Sequence, residues 1–199
     1  LTDAGTDTDS FGKKLGDFGA AAGAAFAVAG AAAVAYAGKL LVDGVKSAIE
    51  DEAAQAKLAT TLTNVAGATD ATVASTETWI TNMGTALGVS DEELRPALER
   101  LARATGSVEE AQKLATLALD VSVGSGKSLE AVSNAIGKAY EGNVGSLAKL
   151  GIGLDAADLK TMSFEEVTAK LAETFGGQAS EKADTFSGKM DRLKIAFDE

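Results

Sequence analysis

Catalysis needs groups that carry protons, attack electrophiles or hold metals, and this 199-residue sequence offers few of them. It contains no histidine and no cysteine. That removes the commonest general base, thiolate nucleophiles, the softer metal ligands and the usual hydrolase triad. The nearest approach to nucleotide chemistry is Val121-Ser-Val-Gly-Ser-Gly-Lys-Ser128, which ends in Gly126-Lys127-Ser128 as a phosphate-binding loop does. Such a loop needs glycine where Val121 stands and a strand before it. Helical spacing precedes it here, so the expectation is a helix end, a short loop and a new helix capped by Ser128. Asp7, Asp9 and Gly12 open like a calcium loop, but Phe11 and Phe18 stand where oxygen ligands are required. Asp91-Glu92-Glu93 and Glu109-Glu110 resemble paired acid and base groups, yet acids in a first helical turn already complement the helix dipole. Trp79, beside Ile80 and Met83, reads as a core or interface anchor. No catalytic residue, metal site or cofactor is expected.

The elements that would position these groups are helical. One proline, few aromatic residues and abundant alanine, leucine, glutamate and lysine favour helix over sheet. Apolar residues recur at helical spacing in Leu58, Leu62 and Val65, then in Leu94, Leu98, Leu101 and Ala102, and then in Leu114, Leu117 and Val121. The pattern continues in Leu129, Val132, Ile136 and Tyr140, and in Phe164, Val167, Leu171 and Phe175. Breaks are expected at Gly67, Gly88, Gly142-Asn143 and Gly176-Gly177. Ser90 with Glu93, Ser107 with Glu110 and Ser163 with Glu166 have capping-box spacing. Pro96 should kink or restart its helix, because it lacks an amide donor. Leu147, Leu150, Ile152 and Leu154 lie among glycines and should tuck a short helix and loop against the bundle. Phe186, Met190, Leu193 and Phe197 are spaced four, three and four, which marks a candidate oligomer seam or one face of an ordinary amphipathic helix.

The net charge of -11 opposes tight nucleic-acid binding, which depends on clustered lysine and arginine. The fold class expected is all-α: an alanine-rich long helix, a compact multi-helix domain and the start of a C-terminal amphipathic, coiled-coil-compatible helix. Residues 1–50 divide into an acidic N-terminal loop and an Ala/Gly-rich hydrophobic helical segment, and residues 51–199 form the compact domain. The chain opens without methionine and closes inside an unfinished helical pattern, so it reads as part of a longer polypeptide.

Phe18 to Gly38 holds no charged residue. Its bulky side chains are confined to Phe18, Phe26, Val28, Val34 and Tyr36, so insertion into a bilayer would be marginal. Gly19, Gly23 and Gly30 lie among them, and the spacing of Gly19 and Gly23 permits close approach of a second helix. Packing against protein is therefore favoured over a stable membrane span.

The stretch Leu129-Glu-Ala-Val-Ser-Asn-Ala-Ile-Gly-Lys-Ala-Tyr-Glu-Gly-Asn-Val-Gly-Ser-Leu-Ala-Lys-Leu-Gly-Ile-Gly-Leu154 resembles tape measure proteins of long-tailed phages. The likeness continues through Leu159-Lys-Thr-Met-Ser-Phe164, Leu171-Ala-Glu-Thr-Phe-Gly-Gly-Gln-Ala179 and Ala183-Asp-Thr-Phe-Ser-Gly-Lys-Met-Asp-Arg-Leu-Lys194. It extends from about Glu50 to the end of the chain. The resemblance implies a protein that lies along the tail lumen, scaffolds tube assembly, sets tail length and leaves at genome ejection. Its implied partners are tail tube, tail tip and tail assembly chaperone proteins, together with further copies of itself, a trimer being favoured. It implies residence in the virion tail lumen or tip, the host cytoplasm during assembly, and the host envelope after ejection. The alternative is a membrane-active pore former whose alanine-rich helix assists DNA passage through the host membrane.

Overall fold

The computed structural model describes residues 46, 48–159 and 161–198. The chain divides into two units, Leu1–Glu50 and Asp51–Glu199. The Ala/Gly-rich segment with Phe18, Gly19, Gly23, Phe26, Val28, Gly30, Val34 and Tyr36 lies outside the described residues, as do Asp7, Asp9 and Phe11. In the first unit, Lys46 and residues 48–50 are helical, and Lys46 pairs with Glu50 one turn on.

The second unit is all-α, with no strand among the described residues. Its helices are α1 over residues 51–66, α2 (Asp70–Leu87), α3 (Asp91–Thr105), α4 (Val108–Ser125) and α5 (Leu129–Tyr140). The short α6 (Gly145–Ala148) and α7 (Ala156–Leu159) follow, then α8 (Phe164–Phe175), α9 (Gln178–Asp184) and α10 (Phe186–Asp198). Helices α3, α4 and α5 pack on one another at the centre; α8 and α9 lie on α4, while α2 meets α3, α9 and α10.

Local chemistry explains most of the boundaries. Gly88, Gly106 and Gly126 end α2, α3 and α4 in the left-handed conformation, which glycine adopts at little steric cost. At Gly88 a side chain would also meet Cβ of Asp191 and the backbone of Arg192, so α10 needs the bare backbone to approach. Thr69, Ser107, Ser128 and Ser163 each accept a first-turn amide. The Ser163–Glu166 pair closes both halves of its capping box.

Two sequence expectations need correction. Ser90 precedes α3 but makes no side-chain capping bond; the Glu93 amide donates to the Ser90 carbonyl instead. First-turn acids Asp91, Glu92 and Glu93 favour that helix start without the hydroxyl. Pro96 neither ends nor restarts α3, which runs through it to Thr105. The missing proline amide deprives only the carbonyl of Glu92, an exposed residue, while buried Leu94, Ala97 and Leu98 hold both sides of the ring in the core.

One core joins the helices of the second unit. Leu58, Leu62, Ile80, Leu98, Leu101, Val121, Ile136, Leu147, Val167 and Leu171 are fully buried within it. Many other core positions are alanine, so backbones approach closely and each contact contributes modest apolar area.

Candidate functional site

The buried charged side chains among the described residues, Arg95 and Glu99, both lie on α3, four residues apart. Asp91, Arg95, Glu99 and Arg103 alternate in sign along one edge of the helix, beside the buried row Leu94, Leu98 and Leu101. This edge meets α1 and α2, and that contact takes Arg95 to 5% exposure and Glu99 to 6%.

Burying a guanidinium is costly unless charge and hydrogen bonds compensate. Arg95 Nε donates to Glu77 Oε2 on α2 at 2.9 Å, and its Nη1 donates to Asp51 on α1 and pairs with Asp91. Burial pulls the Arg95 pKa down, but the Glu77 hydrogen bond and the fields of Glu77, Asp91 and Asp51 outweigh it, leaving the pKa raised. The guanidinium is thus firmly cationic. One turn later the polarity reverses: Glu99 takes Lys57 at 3.1 Å, the hydroxyl of Thr61 at 3.2 Å, and Arg103. Together the two clusters tie α1 and α2 to α3. The second Glu77 oxygen, Oε1, is buried without a hydrogen-bond partner, so the Arg95 charge must hold that carboxylate in place.

A cleft of about 560 Å³ opens beside the Glu99 cluster, lined by Lys57, Thr60, Thr61, Asn64 and Arg103 among others. Its two cations already face Glu99. A second cleft, about 450 Å³, lies between α3 and the start of α5 and carries Glu92, Glu93 and Glu130 beside Arg100. Arg100 is paired with Glu130 at 2.7 Å.

The Val121–Ser128 run lies next to this second cleft and is a helix–loop–helix joint. Gly124 sits inside α4, where a Cβ would lie 2.6 Å from the Phe175 ring of α8, so the glycine serves helix packing. The Ser125 hydroxyl donates to the Val121 carbonyl and accepts from the Lys127 amide, the Ser122 hydroxyl donates to the Lys127 carbonyl, and Ser128 caps α5. The loop's own side chains therefore occupy groups that a phosphate cradle would offer. Glu109 and Glu110 stand in the first turn of α4 and both reach Lys113; the hydrogen bond to Lys113 draws the Glu109 pKa down. Asp91 likewise serves Arg95 and the Glu92 amide. Among the described residues no cluster of acidic side chains has the arrangement of a metal site. Trp79 is partly buried against the core from α2.

The structure brings together Arg95, Glu99 and their partners, which the reading of single motifs did not assemble. The available signal was the four-residue ladder of alternating charge flanking an apolar row. Of the candidate seam, Met190 and Leu193 are half exposed, at 51% and 50%, and so are not part of this unit's own core.

Comparison with known protein families, characterised proteins and solved structures finds no match to this chain.

Proposed function

We propose that the chain is a segment of a phage tail tape measure protein, a non-catalytic scaffold that sets tail length and leaves the tail at genome ejection. The observation that carries the reading is the way the resembling stretch is used. From Leu129 to Leu154 it supplies Leu129, Val132, Ile136, Leu147, Leu150 and Ile152 to the buried core, and its Ser146 hydroxyl donates to the Ala135 carbonyl at 2.7 Å. Three of its glycines, Gly142, Gly151 and Gly153, sit at positive φ in turns, and Gly137 is buried inside α5. A motif that supplies so many core and turn positions suits a folded module carried within a long scaffold.

In this proposal the Ala/Gly-rich segment forms a long helix packed beside protein in the tail, and α10 begins a coiled-coil arm. The acidic charge suits a passage shared with DNA, since like charge discourages adhesion to phosphate. Tail tube, tail tip and assembly chaperone proteins are the proposed partners. No described helix is long and apolar enough to cross a membrane. The uncharged run Phe18 to Gly38 keeps the pore-forming role as a second reading, a later step of the same protein.

An epitope tag placed in an exposed loop, at Gly126, allows a direct test. Purified tails should contain the tagged chain before DNA release and lose it afterwards. Tails that never contain it would exclude the lumenal scaffold, and a chain that stays in the emptied tube would exclude release.

A further inference from the structure

We infer that the outward face of α10 is a docking surface for a second amphipathic helix whose apolar seam is flanked by carboxylates, and is not a seam between copies of this chain. At about 100° per residue, positions 186, 190, 193 and 197 fall within about 60° of arc. On the opposite side, Gly188 is buried and Asp191, Arg192 and Ile195 are partly buried. That inner side is where α10 meets its neighbours: Asp191 and Arg192 lie against Gly88, and Arg192 reaches the Ala86 carbonyl and Asp184. With the inner side so occupied, Met190 and Leu193 are turned outward and half exposed.

The narrow width of the stripe selects the kind of occupant. A helix lying in a membrane interface or on a globular core presents a broad apolar face, whereas a stripe confined to alternating four- and three-residue steps matches the seam of paired helices. The flanks select its charge. In heptad terms Met190 and Leu193 take the a and d positions, and exposed Lys189 and Lys194 take g and e. Parallel self-pairing sets g of one helix against the following e of the other, which here is Lys189 against Lys194. Antiparallel self-pairing sets g against g and e against e. Parallel copies therefore repel, and antiparallel copies, which set Lys189 against Ala196 and Lys194 against Ser187, gain nothing from charge, where a partner with glutamate or aspartate at its own e and g positions would be attracted.

The test uses the full chain and two synthetic helical peptides with the same leucine and isoleucine heptad seam, one with glutamate and one with lysine at every e and g position. Fluorescence anisotropy should show the glutamate peptide binding about tenfold more tightly than the lysine peptide. The double variant K189E/K194E, altered only at exposed positions, should reverse that preference. Equal binding of both peptides, or a preference the double variant leaves unchanged, would overturn the proposal. So would self-association of the chain that Leu193→Asp abolishes while K189E/K194E does not alter it, or Leu193-dependent binding to phosphatidylglycerol vesicles without binding to either peptide.

Discussion

Replacing Arg95 with methionine should destabilise the second unit by about 2–3 kcal/mol, because it strands Asp51, Glu77 and Asp91 around an apolar stem. This is at or below the range of about 3–5 kcal/mol usual for a broken buried pair, since Asp51 is partly exposed and water can reach it. Glu77 has less relief: its side chain is less exposed, its Oε1 is already buried without a partner, and the guanidinium is the charge that compensates it. Asp51→Asn removes one partly exposed member and should cost under about 1 kcal/mol. Urea denaturation followed by circular dichroism measures both. If Arg95→Met and Asp51→Asn cost the same, the Arg95 cluster is surface decoration and does not tie α1 and α2 to α3. Adding Glu77→Gln to Arg95→Met should recover part of the loss, because it removes the stranded charge that the first substitution leaves behind.

Leu147→Ala should lower stability by about 3 kcal/mol, the scale expected when a fully buried leucine leaves a cavity. The site is informative because α6 has only four residues and follows a glycine turn. A helix of one turn has no stability of its own, so Leu147 must be held by tertiary packing against α5 and by the Ser146 hydroxyl on the Ala135 carbonyl. Leu193→Ala is the matched control, the same chemical change at a half-exposed site, and should cost less than about 0.5 kcal/mol. A similar small loss in both would mean that the glycine-rich stretch after α5 hangs from the bundle without bracing it.

The helices were readable in the sequence wherever the signal was local. The glycine stop at Gly88, the Ser163–Glu166 box, and the apolar rows of α3, α5 and α8 depend on residues within a turn or two of one another. The charged ladder of α3 was harder to read. Asp91, Arg95, Glu99 and Arg103 have the spacing of an ordinary solvated face, and they become buried only because α1 and α2, distant in sequence, come to lie across them. Pro96 does not restart its helix for a related reason, since long-range burial of Leu94, Ala97 and Leu98 outweighs the loss of one backbone bond. In α10 the four-three-four spacing was visible, but spacing alone could not say whether that face turns toward the bundle. Gly188 decides it: any side chain there would collide with the Lys182 carbonyl, so this is the face on which the backbones of α9 and α10 close together.

A ruler and a folded module respond differently to shortening, and this contrast tests the proposed role most directly. An extended helix rises about 1.5 Å per residue, so removing helical residues from an extended part of the proposed longer protein should give viable tails shortened in proportion. Ser107 to Val121 cap and form most of α4, a helix at the centre of the bundle. Its removal should misfold the module and reduce the number of tails, without proportional shortening of those that form. Tail lengths measured by electron microscopy for the two deletions decide the matter. Shortened tails are expected from the first and scarce tails from the second; tails of unchanged length from the first deletion, or a proportional shortening from loss of Ser107 to Val121, would contradict the proposed role.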